Sequence, residues 1–214
     1  MGVGVLLLHN SLTGPVDDHK PYTRPAAVTH ATPPSAAAAA ADQALPRAMP
    51  ERLSIPEIAV DAPFTRLSIG ASGQLNAPPA GEANLVGWFE GGVSPGERGS
   101  SIVVGHVDTK TGPAVFAQLR QLKPGSMVYV TRADDTVARF KVDSLNTFSK
   151  DRFPDHLVYA DTRSPQLRLI TCDGAYNHVT HDYEANLVVF AHLDPVGQAG
   201  GMKAAPSRAP RTSR

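Results

Sequence analysis

Between residues 48 and 193, short runs of alternating or continuous apolar residues recur, separated by clusters of turn formers. Residues 52–58 (RLSIPEI) alternate apolar and polar positions around Pro56, whose missing amide hydrogen favours an edge of a sheet. Residues 101–104, 127–131, 138–142, 167–171 and 186–191 are further strand segments. Turns are supplied by Pro78-Pro79, Gly91-Gly92, Pro95-Gly96, Pro124-Gly125 and Asp134-Asp135. One stretch, 113–122, carries Ala114, Phe116, Ala117, Leu119 and Leu122 at a spacing that predicts a short helix. Many short strands with few helices predict an all-β barrel or sandwich.

The pattern fails at both ends. From residue 13 to 50 the chain is rich in Pro and Ala, with an unbroken alanine run at 36–41. Such a segment reads as a semi-rigid spacer, because prolines hold extended backbone and an alanine run without an apolar stripe is marginal as a helix. Residues 194–214 are rich in Gly, Pro, Ala, Ser and Arg and read as a disordered tail. The domain layout is therefore 1–47 as leader and stalk, 48–193 as the folded domain, and 194–214 as tail. Residues 3–8 (VGVLLL) are apolar but far short of the roughly 20 residues that span a bilayer. They also lack the charged flank and cleavage site of a signal peptide. Two readings stand for them: an apolar start without meaning, or the end of a truncated membrane anchor. The formal net charge is zero and no basic stripe occurs, which argues against a nucleic-acid partner.

Cys172 is the chain's one cysteine, so it is left with packing, oxidation sensing or nucleophilic chemistry. It follows the apolar run 167–171 and precedes Asp173-Gly174, which predicts a thiol where a strand opens into a loop. Packing is the ordinary use of a free cysteine. A second element changes the weighing: in Val103-Val104-Gly105-His106-Val107-Asp108-Thr109, a histidine also ends a β-branched run. Two readings stand: the two strands each offer one half of a thiol–imidazole pair, or His106 is a core or surface histidine satisfied by hydrogen bonds.

Several motifs surround these two residues: RLSIPEIAVDAP at 52–63, GWF at 87–89, PGERGS at 95–100 and GHVD at 105–108. GPAVF at 112–116, Phe153-Pro154, Val158-Tyr159 and LRLITC at 167–172 complete the series. In this order and spacing the chain resembles the sortases, the cysteine transpeptidases of the Gram-positive cell surface. It is most similar to the actinobacterial class usually called class F. The resemblance implies a closed β-barrel of about eight strands with one or two short helices, with His106 and Cys172 on neighbouring strand ends facing a groove. It implies cleavage of a Leu-Pro-x-Thr-Gly sorting motif between Thr and Gly through a Cys172 thioacyl intermediate. The Thr carboxyl then passes to an amine of a cell-wall precursor or pilin. It also implies a barrel outside the membrane of an actinobacterial cell, surface proteins as substrates, and no cofactor or metal.

Acyl transfer needs a nucleophile, a proton donor for the leaving amine and positive dipoles for the oxyanion. Cys172 and His106 fill the first two roles under the resemblance. Asp108, two residues beyond His106, shares its face if the strand continues, so it either orients the imidazole or is a surface aspartate in a turn. The resemblance also implies an arginine downstream of the cysteine, and residues 169–202 contain none. Glu184 falls where relatives often carry it. Asn186 can donate a hydrogen bond to an oxyanion, though without charge. Arg168 shares the Cys172 strand face at about 13 Å of extended chain, and Arg98 or Arg120 can reach from loops. Trp88 with Phe89 either lines the groove or packs the barrel mouth. His178 and His181 form a His-x-x-His pair without further marked ligands, and read as loop residues shaping the groove mouth. An L,D-transpeptidase is rejected, because that family keeps a histidine almost adjacent to its cysteine and here Ile170-Thr171 stands instead. The missing arginine leaves one alternative from another class: a catalytically impaired sortase-fold module that binds peptide or wall.

Overall fold

In the computed structural model, which describes residues 43–71 and 73–194, eight strands close into a barrel. The putting-together begins with alternation. In β1 (Pro50–Ile55), Leu53 and Ile55 are fully buried on one face. Pro56 stops that ladder and starts a 3-10 turn, Pro56–Ile58, after which β2 (Val60–Leu67) runs back antiparallel to β1. Then β3 (Val86–Phe89) lies parallel to β2, and β4 (Gly99–Gly105) returns antiparallel to β3. The strands β5 (Asp108–Thr109) and β6 (Gly112–Pro113) make a separate small ribbon. A hairpin of β7 (Met127–Arg132) and β8 (Val137–Ser149) follows, then the helix α1 (Asp155–Tyr159), then β9 (Pro165–Asn177) and β10 (Asp182–Leu193). The barrel order is β1-β2-β3-β4-β9-β10-β8-β7, closed by the antiparallel pairing of β1 with β7.

The parallel pairing of β4 with β9 places two chain segments far apart in sequence side by side, from Gly99↔Pro165 to Val104↔Ile170. Both strands bury apolar residues on both faces. Val103, Leu167, Leu169, Leu187 and Val189 point into the barrel core. Ile102, Ile170 and Val188 point outward and pack with Val158 of α1, flanked by Phe148, Phe153 and Phe190. Buried faces on both sides explain why these segments read as continuous apolar runs rather than clean alternation.

Three expectations are corrected. The predicted helix at 113–122 is not formed: the described backbone there has turns and a 3-10 turn at Leu119–Gln121. Its first amides are already engaged, Ala114 donating to Val107 O and Phe116 to His106 O at 3.0 Å each. Its apolar residues Val115, Phe116, Leu119 and Leu122 join the barrel core instead. Second, the strand after residue 167 does not open at Asp173-Gly174 but continues to Asn177. Gly174, at φ +81, absorbs an extra residue of β9 as a bulge opposite the Tyr183/Ala185 step of β10. Third, β2 and β3 form where no strand was expected. Pro63 is tolerated because the β3 ladder begins only at Phe64.

The leader (3–8), most of the Pro/Ala stalk and the tail (195–214) lie outside the described residues. The described part of the chain is already seated on the barrel at Leu45, whose amide donates to Gly96 O at 2.8 Å. The Pro46 carbonyl accepts from the buried Arg132 guanidinium. Arg47 donates to Gly92 O and Glu90 O, both at 2.9 Å, and lies over the Trp88 ring at 5.3 Å.

Gly105 ends β4 immediately before His106. A Cβ there would lie 2.6 Å from Phe116 Cδ2 and 2.9 Å from Val115 Cγ1, inside van der Waals contact. Gly105→Ala is therefore expected to lower stability by about 1–3 kcal/mol through overpacking, measured by urea denaturation. A change within about 0.5 kcal/mol, the size of an ordinary surface substitution, would show that Phe116 does not press on this backbone.

Candidate active site

The site is built by register. The last β4/β9 pair is Val104↔Ile170, and His106 and Cys172 each lie two residues beyond it, so both stand at one level of the sheet. In β9 the side chains alternate from Leu169 inward, through Ile170 outward, to Cys172 outward. Across the sheet, Cys172 pairs with Asn186 of β10, which pairs in turn with Phe148 of β8. These three residues make a row on the outer face of the barrel. An open groove of about 1760 Å³ runs over this face, lined among others by His106, Cys172, Asn186, Asp108, Tyr183 and Lys150.

Cys172 is half-buried. Burial pushes its thiol above the usual range, and the Asp182 and Asp108 carboxylates push the same way. Lys150 opposes them: its Nζ donates to Cys172 Sγ at 3.8 Å and to the two Asp182 carboxylate oxygens at 2.6 and 2.7 Å. Lys150 opens the 3-10 turn Lys150–Arg152 just after β8, two residues past Phe148. The outer-face row thus ends beside an ammonium.

His106 Nε2 lies 2.8 Å from the Pro78 carbonyl oxygen. A carbonyl only accepts, so Nε2 carries the hydrogen and donates, leaving Nδ1 as the ring position that takes up or gives a proton. Asp108 does not bond His106. Its carboxylate accepts from the Tyr183 hydroxyl, and that bond, with burial and the nearby charge, pushes Tyr183 up to about 12.

The other sequence candidates are placed elsewhere. Arg168 shares the outer face with Cys172, but Ile170 stands between them and Arg168 is not a groove residue. It is 4% exposed, stacks over the Phe190 ring at 4.6 Å and donates to Gln166 and Leu167 O. Burial pulls its ionisation down to about 10. Arg120 binds Asp173, which alternation turns to the face opposite Cys172. Burial disfavours the Asp173 carboxylate, but bonds from Thr147 and Arg120 outweigh it and hold Asp173 low. Arg98 and Glu184 are exposed. Phe89 lines the groove, whereas Trp88 is buried, its Nε1 donating to Val93 O at 3.0 Å. His181 lines the groove, and His178 packs edge-on against Tyr176.

A family model for the sortase domain matches residues 53–194. The chain belongs to the sortase family. No curated protein matches it in sequence. The sortase barrel is also similar to solved structures of family members, which at these identities show the fold. A lid mutant of sortase A from Corynebacterium diphtheriae is 22% identical with a TM-score of 0.52, covering 71% of this chain and 75% of that one. Sortase C1 of Streptococcus agalactiae, in complex with MTSET, is 20% identical with a TM-score of 0.52, over 67% and 68% of the two chains. Sortase A of Listeria monocytogenes is 16% identical with a TM-score of 0.52, over 69% and 88%.

Sequence reasoning missed Lys150, Asp182, Tyr183 and the Pro78 carbonyl as members of this sortase site. The cations considered, Arg98, Arg120 and Arg168, are all arginines, and none of them is Lys150. Lys150 reaches the thiol from two strands away, and only the β8–β10–β9 register could have pointed to it.

Because burial dominates at Cys172, its thiol form is favoured past neutral pH. Alkylation proceeds through the thiolate, so the iodoacetamide rate should keep climbing as pH rises above the ordinary thiol value of about 8.5. The chain's one cysteine makes intact mass a clean readout. A rate already flat by pH 7 would show a thiolate stabilised against burial.

Proposed function

We propose that the protein is a cysteine transpeptidase of the class F-like, actinobacterial kind. It cleaves a Leu-Pro-x-Thr-Gly type sorting motif between Thr and Gly and transfers the Thr carboxyl to an amine of the cell envelope. The observation that supports this reading is that Cys172 and His106, in a chain of the sortase family, line one groove at one level of the sheet. In the proposed reaction the Cys172 proton passes to His106 and the thiolate pair forms a bond to the Thr carbonyl carbon. The carbonyl π pair moves onto oxygen. When it returns, the Thr–Gly C–N bond breaks and its electron pair takes the proton from His106, freeing the glycyl amine. An acceptor amine then loses its proton to His106 and attacks the thioester, and the Cys172 thiolate leaves. The Pro78 carbonyl supports this traffic, because it holds one ring nitrogen protonated while the other exchanges.

The substrates are surface proteins bearing the motif, and the acceptor is an amine of a wall precursor or pilin. Hydrolysis occurs where water replaces that amine. The setting is the outer face of a Gram-positive membrane, with 48–193 as the catalytic domain, 1–47 as a segment that includes the Pro/Ala-rich stalk, and 194–214 as a tail. No described helix is long and apolar enough to cross a membrane. The raised thiol and the exposed Glu184 favour a second reading, a module that binds sorting peptides without turnover.

Incubating the protein with a Leu-Pro-x-Thr-Gly peptide and triglycine should yield a thioacyl adduct by intact mass, and a ligated product. Cys172→Ala should abolish both. His106→Ala should lower turnover by roughly 10²–10⁴, the usual contribution of a positioned acid–base group. Peptide binding without any adduct across a panel of motifs would favour the binding module.

A further inference from the structure

We infer that Lys150 is the cation of the acyl-transfer centre, its ammonium facing the Cys172 sulfur and then the oxyanion formed on the bound carbonyl, with Asp182 holding it there. The inference rests on the transpeptidase reading for its second half, and on geometry alone for its first.

Of the groove's cations, Arg47, Lys110, Lys150 and Arg152, Lys150 is the one with a bond to the sulfur among the described residues. Arg47 is committed to the carbonyls of Glu90 and Gly92. Lys150 is drawn in by Asp182, which sits at the start of β10 with its carboxylate also accepting from the Tyr183 amide at 2.8 Å. That carboxylate is 53% exposed and the lysine 28%, so the pair is wet enough for Lys150 to trade one partner for another. Attack of the thiolate leaves the sulfur neutral and puts a full charge, in the tetrahedral intermediate, on the carbonyl oxygen two bonds away. An ammonium on a flexible stem, with three donors, can turn toward that charge. The ionisable groups facing the thiol are then Lys150 from the end of β8, Asp182 and Tyr183 from β10, Asp108 from β5 and His106 beyond β4. Lys150 is the one lysine or arginine among them.

Two measurements test this. The first compares alkylation of Cys172 by iodoacetate, an anion, with neutral iodoacetamide, in the full chain. Loss of a cation at the sulfur should lower the iodoacetate/iodoacetamide ratio at least about threefold in Lys150→Met. Lys150→Arg should keep the ratio, and Asp182→Asn should raise it. The second measures transpeptidation: Lys150→Met should lower kcat by roughly 10²–10³, the loss seen for one oxyanion donor, with KM changed less than about threefold. Lys150→Arg should restore kcat to within about tenfold of wild type. A ratio unchanged in Lys150→Met overturns the assignment, and so does an unchanged kcat. If Lys150→Met does not fold, Asp182→Asn decides, since an unchanged ratio there is equally fatal. If the wild type turns over no peptide, the transpeptidase reading fails while the alkylation ratio still settles whether Lys150 serves the sulfur.

Discussion

The parallel ladder between β4 and β9 is the constraint on which the site depends. Parallel neighbours need a long crossover, and here the β7–β8 hairpin and α1 occupy the chain between them. The register of that ladder brings Val104 level with Ile170, and nothing closer in sequence would bring His106 and Cys172 together. A slip of one residue would turn Cys172 into the barrel, because side chains alternate with a period of two. The pairing is held from both sides, by Val103, Leu167 and Leu169 in the core and by Ile102 and Ile170 under α1. The chemistry therefore stands on a doubly packed sheet, and the groove is its outer skin.

The same arrangement explains what was legible in the sequence. The all-β barrel was readable because its core strands are β-branched and bounded by turn formers, and the order of the motifs pointed to the family. His106 and Cys172 were readable as candidates because each follows an apolar run. What was not readable depends on tertiary context. The apolar spacing at 113–122 fits a helix equally well, but its amides bond back to Val107 and His106, and those long-range bonds override local preference. Asp173-Gly174 is a turn signal in isolation, yet with β10 alongside, the same left-handed glycine makes a bulge within a continuing strand. Val60–Leu67 became β2 despite Pro63 because β3 joins it only from Phe64 onward. Lys150 and Asp182 were invisible because their meeting requires three strands to be in place.

Electrostatically the groove is a balance among a few groups. Burial and two carboxylates disfavour the Cys172 thiolate, and one lysine favours it. Two arginines attached to the cysteine strand, Arg120 and Arg168, serve structure instead. Arg120 binds Asp173 on the opposite side of the sheet. Arg168 is packed on Phe190. Their guanidinium groups stiffen the strand that carries the cysteine without presenting charge to the groove.

The bulge at Gly174 has a consequence for how this surface can vary. It interrupts the ladder just beyond Cys172, so the tip of the β9–β10 hairpin, with Tyr176, His178 and His181, is joined to the register of Cys172 through a joint rather than a rigid rail. Insertions or exchanges beyond the joint alter the wall of the groove while the strand beneath Cys172 keeps its phase. The fold thus separates a part of the surface free to drift from a part whose spacing must be kept.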